Sequence, residues 1–358
     1  MAGCDTLLRS VTLALMGSLA LVGACARAPS TPSGTAAANQ REASAAPAAA
    51  QPAATVAPAP ERLRVLYPAV GGSASVMWVA YRAGGFARQG LDLDLMPDPP
   101  SLATSALVAG ELGISLSGGA LPVGAFVEGA RQLVLVGATG QKLDFSLVGR
   151  VASGDELRGK TVIAGRTGDV GRLSAEWAVQ GLGLALSDVS FVTGDKSAVR
   201  YAALQSGGVD AAILQMPFVE IAQREGFRVL YDVGEAAQEF PTTVVVSRRD
   251  YVAANRDLVR RFLAGLAEGF RIYKDPAHAE EVTGWLAEHF QSDDLAMMAV
   301  TREFYARRLA DGPVITEAGV QNVLDLVAQS NPAARSVRPA ELLDTGPLHE
   351  ALEGMGQR

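Results

Sequence analysis

Residues 63–73 read LRVLYPAVGGS, a short run of β-forming side chains that ends in a turn-prone glycine pair, and a segment with helical periodicity follows over 75–88. Further short apolar runs alternate with helical segments along the chain. They lie at 113–116, 133–136, 145–148, 161–164, 189–192 and 211–214. Strands separated by crossover helices predict parallel sheets that are covered on both faces, so the body is expected to be an α/β protein.

The C-terminal third is predicted to consist of consecutive amphipathic helices. Behind the N-cap candidate Asn255, the large apolar residues of 258–273 fall on one helix face. Three further helices are expected: one begins near Pro276, one begins near Asp294, and one covers 320–327. We interpret these apolar stripes as core-facing.

Composition sets limits on the class of protein. A length of 358 residues favours two globular units with tails or linkers. Apolar residues make up 49% and charged residues 19%, which is typical of a folded chain. The net charge is −7 and no stripe of Lys or Arg is present, so nucleic acid is not expected as a partner.

Cysteine and histidine usage argues against a metal centre. Both cysteines, Cys4 and Cys25, precede the folded body, so it can form neither a disulfide nor a thiolate site. His278, His289 and His349 lack metal-ligand spacing and are expected at the surface. The sequence therefore predicts no metal and no cofactor.

The N-terminus is predicted to direct export. An apolar run over 11–24 follows Arg9 and is too short to span a membrane, which takes ~20 residues, so residues 1–25 are interpreted as a signal peptide. Residues 22–25, Val-Gly-Ala-Cys, resemble the bacterial lipobox, whose processing leaves a lipidated Cys25 at the new N-terminus. The alternative is ordinary signal-peptidase cleavage after Ala26.

A tether is predicted to follow, over 26–61. Residues 26–60 contain 15 Ala and 6 Pro, and such a segment buries too little apolar surface to offset the entropy lost on ordering. The expected result is a domain held beside a membrane by a flexible linker.

Five segments resemble, in order, the nitrate/sulfonate/taurine-type and thiamine-pyrimidine-precursor-type solute-binding proteins of ABC transporters. They are 63–95, 106–112, 155–162, 203–212 and 249–275. The resemblance implies a two-lobed α/β fold of the periplasmic-binding-protein-like type II class, with two crossover strands and a helical C-terminal extension of lobe one. It places lobe one at 62–152 plus 247–358 and lobe two at 153–246, with the solute in the cleft.

Residues 154–161 also match the Walker A pattern of nucleotide-binding loops. A phosphate loop requires a helix to start at its Lys, but a β-type run follows Lys160 here. The acidic pair Asp155 and Glu156 would also repel phosphate. Nucleotide binding is therefore not predicted.

Candidate ligand contacts lie where strands end, because open parallel sheets bind ligands at the carboxyl ends of their strands. In lobe one they are Gly72, Ser73, Ser75, Trp78, Ser117, Gly118, Thr139 and Gln141. In lobe two they are Arg166, Thr167, Gly168, Asp169 and Gln215.

Several of these candidates have a structural alternative. Trp78 could equally be a core residue, and Gln215 could simply mark a helix start. Arg166 suits an anion or is a surface residue, whereas Asp169 suits an amine or a helix cap.

The expected function is delivery of a small molecule to an ABC permease and its ATPase, by a monomer anchored outside the cytoplasm. The solute would be a sulfonate- or nitrate-like anion, taurine or a pyrimidine-type compound. No nucleophile motif or histidine-based site is present, so catalysis is not predicted. The alternatives are a sensing domain for a membrane receptor and a pyrimidine-synthesising enzyme on the same scaffold, whose His- and Cys-rich site this chain lacks.

Overall fold

The computed structural model describes residues 59–68, 72–97, 100–167, 169–236 and 239–356. The predicted signal peptide, Cys25, nearly all of the predicted tether and the candidate ligand residue Gly168 lie outside the described residues.

Within the described residues, ten strands form two sheets. They are β1 (Glu61–Tyr67), β2 (Leu91–Pro97), β3 (Ile114–Gly118), β4 (Leu133–Gly140), β5 (Ser146–Gly149), β6 (Thr161–Ala164), β7 (Ser190–Thr193), β8 (Ala211–Leu214), β9 (Arg228–Asp232) and β10 (Thr243–Arg248).

Fourteen α-helices accompany these strands in the described part of the chain. The first eight are α1 (Ser75–Arg82), α2 (Gly85–Arg88), α3 (Pro100–Ala109), α4 (Ala120–Val127), α5 (Val170–Gly181), α6 (Ser197–Gln205), α7 (Phe218–Arg224) and α8 (Val233–Ala236). The C-terminal six are α9 (Arg249–Ala254), α10 (Arg256–Lys274), α11 (Ala279–Phe290), α12 (Leu295–Arg308), α13 (Glu317–Ser330) and α14 (Gly346–Gly354).

Each sheet combines parallel strands with one antiparallel strand from a crossing segment. The first has the order β2-β1-β3-β10-β4, with β10 antiparallel to β3 and β4. The second has the order β7-β6-β8-β5-β9, with β5 antiparallel to β8 and β9. The chain passes between the sheets twice, once between β4 and β5 and once between β9 and β10. The predicted two-lobed α/β fold with two crossovers is confirmed.

Strand pairing shifts the predicted lobe boundaries. Strand β5, assigned to lobe one from the sequence, pairs residue for residue with β8 and belongs to the second sheet. Strand β10, assigned mostly to lobe two, belongs to the first sheet. The sheet of lobe one therefore draws on 61–140 and on the chain from 243 onward, and that of lobe two on 146–232. Pairing between distant segments is not visible in local patterns, which explains the difference.

The predicted strands and C-terminal helices are present, with additions. Strands β2, β9 and β10 were not predicted. The helix predicted over 75–88 is divided into α1 and α2 at Gly84, which has φ 74°. The Walker-like segment continues into strand β6 instead of a helix, as expected. Within the described residues, no helix has both the length and the apolar character needed to cross a membrane.

Helix α10 is the main support of lobe one. Its buried face includes Phe262, as the apolar periodicity of the helix predicted. The Phe262 ring stacks on Phe86 at 5.2 Å between centroids. A fully buried side chain of this kind stabilises the fold by ~1.5–3 kcal/mol. At Gly269 the helix backbone approaches α1 closely, and a Cβ there would lie 2.4 Å from the Cβ of Ala80. The close contact between the two helices thus requires glycine at position 269.

We expect Gly269→Ala to lower the free energy of unfolding by about 1–3 kcal/mol, because the added methyl group forces α1 and α10 apart. The matched control is Gly284→Ala in α11, where no atom lies within 4 Å of the new Cβ. There the better helix propensity of alanine should raise stability by ~0.5–1 kcal/mol. Urea denaturation of both variants measures the difference, and a stabilised Gly269→Ala variant would contradict the packing described here.

Candidate functional site

A buried carboxylate, Asp144, lies in the first crossing segment between β4 and β5 and is only 5% exposed. Its Oδ1 accepts a hydrogen bond from Gln215 Nε2 at 2.8 Å, and its Oδ2 accepts one from the Tyr305 hydroxyl at 3.1 Å. The backbone N–H of Ser73 also interacts with it. We call Ser73, Asp144, Gln215 and Tyr305 the interlobe polar cluster, because Ser73 follows β1 of lobe one and Gln215 follows β8 of lobe two.

The turn after β1 is shaped to receive the ring of Tyr305. A Cβ at Gly72 would lie 1.6 Å from the Tyr305 hydroxyl oxygen, so only glycine leaves room for it. Ser75 stabilises the same turn, since its hydroxyl donates to the carbonyl of Gly72 and lies 3.5 Å from the hydroxyl of Tyr273. The predicted residues Gly72, Ser73 and Ser75 are thus close together beside the cluster.

The second crossing segment reaches the same turn. Ser73 Oγ lies 3.3 Å from Oγ1 of both Thr242 and Thr243, and all three side chains are buried. Gly140, at the end of β4, leaves space for this contact, because a Cβ there would lie 2.1 Å from Thr242 Oγ1. Both crossing segments therefore meet the first strand-end turn at one polar position.

The electrostatics of the cluster are dominated by desolvation. Burial raises the pKa of Asp144, while the hydrogen bonds from Gln215 and Tyr305 and nearby backbone N–H groups act in the opposite direction. Burial also raises the pKa of Tyr305, with the carboxylate as a second cause. Among the described residues, no Lys, Arg or His forms an ion pair with Asp144. The cluster holds a carboxylate without a positive partner.

Helix α12 extends from the C-terminal helices of lobe one and also contacts lobe two. Arg308 donates to Asp232 of β9 at 2.6 Å, and Arg224 of α7 pairs at 2.9 Å with Asp294, the N-cap of α12. These two ion pairs lie at opposite ends of α12. They fix the helix that presents Tyr305 to Asp144.

The predicted contacts at the start of α5 have other roles. Arg166 is 73% exposed in its side chain and pairs with Asp195. Asp169 caps α5, since it accepts the backbone N–H groups of Arg172 and Arg166, which is the helix-cap alternative. Thr167 is exposed. None of these three side chains makes a direct hydrogen bond to the interlobe polar cluster.

An arginine that the sequence did not indicate lies behind this turn. Arg200 is only 4% exposed, and its Nε has no hydrogen-bond partner among the described residues. Burial lowers its pKa to about 10, against the opposing charges of Asp169 and Asp195. Its guanidinium lies 3.3 Å from Ser197 Oγ, which in turn lies 3.3 Å from the backbone N of Gln215.

The candidate contact Trp78 and the histidine His289 both lie within lobe one. Trp78 packs between α1 and α11 and donates its Nε1–H to the carbonyl of Trp285 at 3.0 Å, which is the packing alternative. His289 was expected at the surface, and that prediction is wrong. It is half-buried beside Tyr67 and Trp78, and burial lowers its pKa to about 4.

The other predicted residues of lobe one face its own elements. Ser117 Oγ lies 3.4 Å from Thr104 Oγ1 of α3, and Gly118 pairs with Thr243 in the sheet. Thr139 is fully buried in β4. Gln141 donates its amide to backbone carbonyls, including those of Gly312 and Val314, and so anchors the segment after α12.

The family model described as NMT1/THI5 like matches residues 73–279. The chain belongs to the NMT1/THI5-like family. This confirms the resemblance that the five sequence segments indicated.

Solved structures share the fold of this NMT1/THI5-like chain at low sequence identity. A protein of Bordetella bronchiseptica RB50 has 19% identity and a TM-score of 0.67 over 83% of this chain and 98% of that one. The periplasmic aliphatic sulphonate binding protein SsuA of Escherichia coli has 20% identity and a TM-score of 0.64 over 79% and 99%. The periplasmic nitrate-binding protein NrtA of Synechocystis PCC 6803 has 12% identity and a TM-score of 0.64 over 84% and 90%. No curated protein matches the sequence of this chain.

Sequence reasoning missed three members of the site in this NMT1/THI5-like chain. Asp144 is a single acidic residue just before the apolar run 145–148, and that position was its one available signal. Tyr305 is surrounded in sequence by charged residues and gave none. In the sequence, Arg200 looks like an ordinary residue on the solvent-exposed face of a helix.

The buried carboxyl of the NMT1/THI5-like fold should make stability depend on pH. Because the folded-state pKa of Asp144 is raised above 3.8, folded protein holds the proton more tightly than unfolded protein, so stability falls as pH rises from about 3.8 through the raised pKa. We expect the unfolding free energy of wild type minus that of Asp144→Asn to decrease over this window in urea titrations.

Asp250→Asn is the control with opposite sign. A hydrogen bond from Arg248 lowers the pKa of the exposed Asp250, so its stabilising effect is present above 3.8 and is lost as pH falls through the lowered value. A pH-independent difference for Asp144→Asn would show that this carboxyl is not desolvated.

Proposed function

We propose that this chain is an extracytoplasmic solute-binding protein that captures a small molecule between its two lobes and delivers it to an ABC importer. The observation that carries the proposal is the interlobe polar cluster, to which both lobes, the first crossing segment and α12 contribute side chains or backbone groups. Membership of the NMT1/THI5-like family and the fold shared with periplasmic binding proteins for sulphonate and nitrate support it.

The proposed cycle uses the two crossing segments as hinges. A solute that contacts Ser73 on one side and Gln215 on the other has higher affinity for the closed arrangement and shifts the population toward it. The ion pair of Arg308 with Asp232 is made only when α12 and β9 are adjacent, so it belongs to the closed arrangement. The closed form, as a monomer, then docks on the permease.

Binding by native mass spectrometry against a metabolite extract tests this role. We expect one small molecule per chain, released with its mass unchanged because no reaction is proposed. Gln215→Ala removes the contribution of lobe two and should weaken binding by roughly tenfold or more, the effect of losing one buried hydrogen bond.

The matched control is Gln205→Ala, the same substitution at an exposed glutamine of lobe two that bonds to Glu225. It should leave binding unchanged. Release of a chemically altered compound, or the absence of any bound compound, would contradict the proposed role.

Export and lipid anchoring are part of the proposal and rest on the sequence of residues 1–25. Two acyl chains or more give stable membrane attachment, so the wild-type chain should sediment with membranes. We expect Cys25→Ser to release it into the soluble extracytoplasmic fraction. A wild-type mature chain that begins at Arg27, detected by intact mass, would instead support cleavage after Ala26.

A further inference from the structure

We propose that Asp144 binds a positively charged nitrogen of the solute, so that the cargo is a compound with an ammonium or amidinium group. The inference rests on the proposed solute-binding role and names the class of solute for the same site. It starts from the position of Asp144, a buried carboxylate that no cation of the described residues pairs with, at the place where both lobes meet.

The hydrogen-bond donors near the site are already used by this carboxylate. Gln215 Nε2 and the Tyr305 hydroxyl donate to its two oxygens, and the N–H of Ser73 interacts with it as well. A sulfonate or nitrate placed here would find these donors engaged and would face a charge of its own sign in a desolvated gap. Like charges so placed disfavour one another strongly.

The arginines nearest the cluster do not pair with Asp144. Arg308, on α12, donates to Asp232 at 2.6 Å. Arg200 lies behind Gln215, and its nearest charges are those of Asp169 and Asp195, which favour its charged form. Neither arginine pairs with Asp144, so among the described residues its charge has no positive partner, and we assign that role to the solute.

The contact between Tyr305 and Asp144 is the one that a solute nitrogen would replace. At 3.1 Å its O···O distance is longer than the ~2.7–2.8 Å that hydroxyl hydrogen bonds prefer. An ammonium N–H bonds to a carboxylate at ~2.7–2.9 Å, shorter than the present contact, and adds the attraction between opposite charges. A nitrogen that takes over Oδ2 therefore displaces the Tyr305 hydroxyl, while Gln215 keeps its bond to Oδ1.

Cation binding should also be coupled to a proton. Burial raises the pKa of Asp144, and a cation at Oδ2 lowers it again. At a pH between the pKa of the bound form and the raised pKa of the free protein, binding thus releases a proton. Calorimetry in two buffers of different ionisation enthalpy measures this release on the wild-type chain, without any substitution.

The test uses pairs of probes that match in shape and differ in charge, titrated into the full chain. The pairs are guanidinium with nitrate and ethylammonium with ethanesulfonate. We expect the cationic member of each pair to bind, and Asp144→Asn to weaken that binding by at least about tenfold. Tyr305→Phe should bind the cations as tightly as wild type or more tightly, because the competing hydroxyl is gone. Asp250→Asn is the control and should change nothing.

The outcomes separate the inference from the function on which it rests. Nitrate or ethanesulfonate binding that Asp144→Asn leaves unchanged or tightens overturns the cationic class and keeps the solute-binding role. Weaker cation binding by Tyr305→Phe overturns the displacement. If only a compound from the metabolite extract binds, a basic nitrogen in it supports the inference and its absence overturns it. If neither probes nor extract bind, the proposed function itself fails.

Discussion

A carboxylate taken out of water must be compensated, and in this protein the compensation for Asp144 organises the junction of the two lobes. An uncompensated ionised group in the interior costs several kcal/mol, and the hydrogen bonds of Gln215 and Tyr305 offset part of that cost in this structure. Residue 72 is a glycine because the Tyr305 ring occupies the space that a side chain would need. One buried charge thus accounts for the glycine, the glutamine and the tyrosine that surround it.

Helix α12 belongs to lobe one and forms ion pairs with lobe two. Its two ion pairs to lobe two are partly exposed, and exposed pairs contribute only ~0–1 kcal/mol each. These two ion pairs are therefore weak enough to be broken and remade, while the two sheets themselves retain fully buried cores. This division of strength is what a hinged binding protein needs, since motion at the junction leaves the packing inside each lobe intact.

Local periodicity predicted seven strands and the C-terminal helices because those elements bury whole runs or stripes of apolar side chains. Strand β2 alternates strictly, as Leu-Asp-Leu-Asp-Leu, and this signal was overlooked because only continuous apolar runs were taken as strands. Strand β9 shows no alternation in burial. The lobe boundaries were misplaced because β5 and β10 pair with segments far along the chain. The turn at Ser73 and the position of Gln215 were predictable from the geometry of parallel sheets. Burial of polar residues such as Asp144 and Tyr305 depends on tertiary packing, which no local pattern reports.

Strand β10 lies between β3 and β4, and it is the one strand of the first sheet that pairs with β4. During translation it emerges only after all of residues 146–232, so the second lobe can complete its sheet before the first lobe does. Until β10 arrives, β3 has an open edge and β4 has no neighbouring strand. The lobe whose first strands are made first is therefore finished last, and its apolar sheet stays incomplete until β10 has been made.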